Sequence, residues 1–90
     1  MNTLMIGYDL NKAGKDYAEL IAAIKTMPLW WHHLDSTWLV RTDLSAADLR
    51  DKLGSHIDGD DELLVINVTG DAAAWQGFND AASKWLRSYL

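Results

Sequence analysis

The chain has 90 residues, eight basic and thirteen acidic side chains, a formal charge of -5 and no cysteine. That length holds one domain, and its acidic balance excludes a protein that coats nucleic acid through a broad basic surface, because phosphate neutralisation needs clustered Lys and Arg. Lack of cysteine excludes disulfide staples, thiolate nucleophiles, iron–sulfur clusters and cysteine-ligated zinc.

The first element is a strand over Thr3–Asp9, where Leu4, Met5, Ile6 and Tyr8 make a short apolar run. This run is too short to span a bilayer and has no basic flank, so no membrane association and a cytoplasmic location are expected. Leu10–Lys15 is loop chemistry, with Asn11, Lys12 and Gly14. Tyr17, Leu20, Ile21, Ile24 and Met27 then recur at three- and four-residue spacing, which predicts a helix that Pro28 stops. Trp30–Leu34 and Thr37–Thr42 read as a hairpin with Asp35-Ser36 at the bend. Ser45 is a helix cap with Asp48 at the third helical position, and Leu44 and Leu49 are spaced as a hydrophobic staple. That second helix turns Leu49, Leu53 and Ile57 inward and frays at Gly54-Ser55.

Asp58–Asp61 is a turn, and Glu62–Thr69, with Leu63, Leu64, Val65, Ile66 and Val68, reads as a buried strand. Ala72–Phe78 is ambiguous and is expected as a helical turn plus loop. Asn79 or Asp80 caps a last amphipathic helix through Ala81, Ala82, Trp85 and Leu86. The order β-α-β-β-α-β predicts a ferredoxin-like α+β fold: an antiparallel sheet in a single domain over residues 1–90, with a core over 1–70 and a C-terminal helical extension over 71–90.

Six residues or groups of residues invite a chemical reading, each beside a plainer one. Asp9 stands where an apolar strand ends, a place for a metal ligand or a catalytic acid. One carboxylate makes a poor Mg2+ site unless a twofold dimer supplies a second, and an isolated Asp there also serves as a loop cap. Lys12 and Lys15 could hold a phosphate beside Asp9, or simply be solvated. His32 and His33 point to opposite faces of a strand, which suits structural or interface histidines better than a shared metal. Ser36, next to Asp35 and near His33, has the inventory of a hydrolase triad without the surrounding motif. Asp58, Asp60, Asp61 and Glu62 lack the spacing of a calcium loop and suit a solvated turn. Five tryptophans in so short a chain place aromatic area on the hairpin (Trp30, Trp31, Trp38) and on the tail (Trp75, Trp85). That distribution suits a core, a subunit interface, base stacking or the wall of a small-ligand pocket. Interface roles are expected for Trp31, Trp38, Trp75 and Trp85.

The strand ending in Tyr8-Asp9, the segment Trp31-His32-His33-Leu34-Asp35-Ser36-Thr37-Trp38-Leu39-Val40 and Thr42-Asp43-Leu44-Ser45 resemble the small SinR-type proteins over nearly the whole chain. More distantly, Thr3–Val68 resembles the ferredoxin-like nucleases shared by CRISPR adaptation systems and VapD-type toxins. The nuclease resemblance implies a homodimer in which Asp9 of each subunit meets near the twofold axis and binds Mg2+. A metal-activated water would then attack a phosphodiester of RNA. It also places Ser36 near the family's small polar residue of the second strand region. The family's arginine-bearing loop after the aspartate is replaced here by Lys12 and Lys15. Many relatives use the fold as a structural dimer without cutting. The expectation is therefore a homodimeric binding or assembly protein with protein or RNA partners, in a phage-defence or toxin–antitoxin setting. A magnesium-dependent endoribonuclease acting through Asp9 is one alternative, and a small-ligand-binding oligomer is the other.

Overall fold

Alternation of apolar side chains along four short segments builds one antiparallel sheet in the computed structural model, which describes residues 1–11 and 17–90. Its strands are β1 (Asn2–Asp9), β2 (Leu29–Leu34), β3 (Thr37–Thr42) and β4 (Glu62–Asn67), in the spatial order β2-β3-β1-β4. Helix α1 (Ala18–Lys25) connects β1 to β2, and α2 (Ala46–Gly54) connects β3 to β4. Each of these connections joins two parallel strands with one antiparallel strand between them. This is the ferredoxin-like arrangement, and α3 (Asp80–Tyr89) is added to it.

The period of two divides the sheet residues between two faces. The first face buries Leu4, Ile6, Trp38 and Val40 against Leu20 and Ile24 of α1 and Leu49 and Leu53 of α2. Met27, past the end of α1, closes the same core. Helix α2 starts where Ser45 Oγ accepts the Asp48 N–H at 3.0 Å, and Leu44 packs on the cluster that holds Leu49. The second face gathers Trp31 and Leu39 under Ala82 and Leu86 of α3. Of the two candidate caps, Asn79 and Asp80, it is Asn79 that accepts the Ala82 N–H, at 2.8 Å. The indole of Trp31 donates to the Ala82 carbonyl at 3.2 Å, fixing how the helix lies on the sheet. Near its other end, Thr3 Oγ1 donates to the Tyr89 carbonyl and accepts from Arg41 Nη1 at 2.9 Å.

Two expectations need correction. The Ala72–Phe78 segment contains no helical turn: it crosses the second face in irregular conformation, with Gly77 at φ +93°. Its alanines favour helix, but Trp75 and Phe78 pack on the cluster around Trp31, and a glycine at positive φ suits the bend that precedes α3. The second correction concerns β4. Its first-face residues Leu63 and Val65 are half-buried, whereas Leu64 and Ile66 on the second face are 56% and 39% exposed. The strand is apolar on both faces but covered on only one, because α3 lies over β2 and β3 rather than over β4.

The pairing of β2 with β3 is irregular, its register shifting between Trp31 and Leu34. That of β1 with β4 runs unbroken from Leu4 opposite Asn67 to Asp9 opposite Glu62.

Candidate binding surface

Asp9 is exposed at the end of β1, and the register sets it opposite Glu62, so two like charges face each other across the ladder. Both belong to the second face, at the rim of a shallow depression lined with Gly7, Tyr8 and Leu64. The hairpin bend lies at this same end of the sheet, since Tyr8 donates its N–H to the Ser36 carbonyl at 3.1 Å. Asp9 and Ser36 thus share an end of the sheet, with the Ser36 side chain exposed. Lys12 and Lys15, the expected phosphate contacts, lie outside the described residues.

The acidic turn beside Asp9 is organised from within. The Asp61 carboxylate accepts the Asn11 N–H at 2.9 Å, the Tyr17 hydroxyl at 2.8 Å and the Asp58 N–H at 2.9 Å. Asn11 also donates to the Asp60 carbonyl at 2.9 Å. These bonds clamp the exit of β1 to the entry of β4, a structural task that explains Asp61 without a cation. Among the described residues, no group of three or more His, Asp or Glu side chains is placed to hold a metal ion. Among the described residues of one protomer, Asp9 and Glu62 are the carboxylates that the register brings together at this end of the sheet, fewer oxygen ligands than Mg2+ prefers.

The histidines do turn to opposite faces. The His32 ring stacks on Trp38 with centroids 3.6 Å apart and an interplanar angle of 11°, while the His33 ring lies 5.0 Å from that of Trp31. Trp38 is wholly buried on the first face and donates its indole N–H to the Tyr8 hydroxyl at 3.0 Å. Trp31 is buried under α3, and Trp75 and Trp85 are half-buried around it.

An apolar concavity lies on the second face. A groove of about 350 Å³ runs between the sheet and the segment leading into α3. Met5, Trp31 and Leu39 form its floor; Trp75, Phe78 and Leu86 are among the residues that wall it. Asp71 is the one ionisable side chain that lines it. Leu34, 48% exposed, stands at this groove, and Leu64 and Ile66 continue the apolar surface towards the β4 edge, since the register sets Ile66 opposite Met5. Such a surface buries apolar groups of a partner; it has no nucleophile–base pair and no array of donors for a developing charge.

Trp31 and Trp75, expected at an interface from the sequence, both line this groove; what the sequence did not show is that Leu34, Leu64 and Ile66 extend it, because they come from stretches of the chain outside the tail. The unbroken apolar run of β4 was a usable signal: a strand apolar on both faces at a sheet edge needs two coverings.

Compared with protein-family models, with curated proteins and with solved structures, the chain matches none. No helix among the described residues is long and apolar enough to cross a membrane.

Proposed function

We propose that the chain is a small homodimeric binding and assembly protein, and that the second face of its sheet is its interaction surface. The observation that carries this reading is the apolar surface that runs from the groove, with Leu34 beside it, to Ile66 and Leu64. Water is displaced from such a surface when a partner covers it, and the gain scales with the apolar area removed from solvent. The resemblance to SinR-type proteins and to the structural dimers of the nuclease superfamily supports the same reading, and a phage-defence or toxin–antitoxin setting follows from that resemblance alone.

Light scattering at micromolar concentration tests it, with twice the chain mass expected; a strict monomer overturns the homodimer. Incubation with labelled RNA and DNA, with Mg2+ or with EDTA, tests the competing reading. No Asp9-dependent cleavage is expected. Mg2+-dependent RNA cleavage that disappears in Asp9→Ala would replace the binding reading with an endoribonuclease.

A further inference from the structure

The hydrogen-bond parity of β4 specifies how a second copy can be held. Val68 donates its N–H to the Thr3 carbonyl at 2.9 Å, and Thr3 and Val68 continue the register of Leu4 with Asn67. In an antiparallel ladder bonded pairs alternate with unbonded ones, so Glu62, Leu64 and Ile66 bond inward to β1. The N–H and C=O groups of Leu63, Val65 and Asn67 then point away from the sheet, and no described backbone group across that edge bonds to them. A regular edge with three outward donors and three outward acceptors is a template for another strand.

We infer that two copies of this chain join edge to edge through β4, antiparallel, with the twofold axis passing at Val65, to form one eight-stranded sheet. This rests on the reading of the chain as a homodimer and names the partner that covers the β4 end of its surface. The axis follows from complementarity. At Val65 it sets the exposed Leu64 opposite the exposed Ile66 of the other copy, twice over, and Val65 opposite itself. Glu62 then faces a valine and Asp61 a threonine, so no two acidic side chains are opposed. Moving the axis to Leu64 would press Glu62 against Ile66, and moving it to Ile66 would oppose Asp61 to Asp71. On the first face, α2 packs over β4 and carries Asp48 and Asp51 with Arg50 and Lys52, so its copy approaches without a single-sign field.

The arrangement also positions the first-strand carboxylates. Asp9 lies opposite Glu62, three residues from the axis, and β1 is separated from its copy by three strand spacings. Strand rise and spacing then set the two Asp9 residues on the order of 25 Å apart. That is far beyond the reach of one shared cation, and it separates this dimer from the one implied by the nuclease resemblance.

Because the chain has no cysteine, single substitutions read the register directly. Directly opposed residues fall within disulfide reach, with Cα atoms about 5.5 Å apart in a bonded pair and about 4.5 Å in an unbonded one. Under mild oxidation Val65→Cys is expected to cross-link to itself. Leu64→Cys and Ile66→Cys are expected to cross-link poorly alone and efficiently when mixed. A variant that keeps the fold, Ile66→Lys, is expected to weaken association about tenfold or more by light scattering, with an unchanged circular dichroism spectrum. A wild-type monomer overturns both the homodimer and this geometry. A wild-type dimer in which Val65→Cys stays uncross-linked, or Leu64→Cys cross-links to itself, overturns the geometry and leaves the homodimer standing.

Discussion

Leu86 and Leu53 offer a matched comparison between the two faces of the sheet. Both are buried leucines on helices, Leu86 3% and Leu53 0% exposed, so truncation to alanine removes the same three carbons from each. Loss of transfer free energy alone costs about 2.4 kcal/mol at ~0.8 kcal/mol per carbon. Surroundings decide the rest. Leu53 is enclosed between α2 and the first face, where the walls relax only partly, so a cavity term brings its loss to about 3–5 kcal/mol. Leu86 already borders the open groove, and the space it vacates joins that groove and fills with water. Its loss should therefore stay near the transfer value, about 2.5 kcal/mol, or roughly 10–20 °C in Tm for a domain of this size. Urea unfolding at one fixed protein concentration measures both variants, since self-association would otherwise shift the midpoints. A loss in Leu86→Ala equal to or greater than that in Leu53→Ala would refute the open groove.

Three further outcomes are expected. Tyr8→Phe removes the acceptor of the buried Trp38 indole and should cost about 1–2 kcal/mol, with most of the effect absent when Trp38→Phe is already in place, as a double-mutant cycle will show. Asn79→Ala should cost about 1 kcal/mol in thermal unfolding and should lower amide protection in the first turn of α3 before it affects α1. Asp9→Asn relieves the repulsion across the ladder from Glu62 and should stabilise by a few tenths of a kcal/mol at low salt, a gain that denaturation in high salt should erase.

The locally determined parts of the molecule were legible in the sequence. The hairpin declared itself through the β-forming residues of Thr37–Thr42 and the Asp35-Ser36 bend, and Ser45 and Asn79 marked two helix starts because a cap is chosen by residues three positions away. What escaped depends on contacts distant in sequence. The apolar run of β4 gives two apolar faces, but nothing in those six residues says that α3 would settle over β2 and β3 instead. Asp61 reads as one acid among four until Asn11 and Tyr17 are brought to it from 50 and 44 positions away. For Ala72–Phe78, helix propensity gave way to the reach that Trp75 and Phe78 need to touch the sheet.

The irregular pairing of β2 has a consequence for how far assembly can proceed. A sheet with two regular edges would add copies without limit and grow into a filament. Here the opposite edge is β2, where the slip between Trp31 and Leu34 breaks the even spacing of backbone groups that an incoming strand must match. If two copies join at β4 as inferred, both outer margins of the joined sheet would be β2 strands. In the edge-to-edge dimer inferred above, growth would then be self-terminating, with the irregularity in one hairpin limiting the copy number to two.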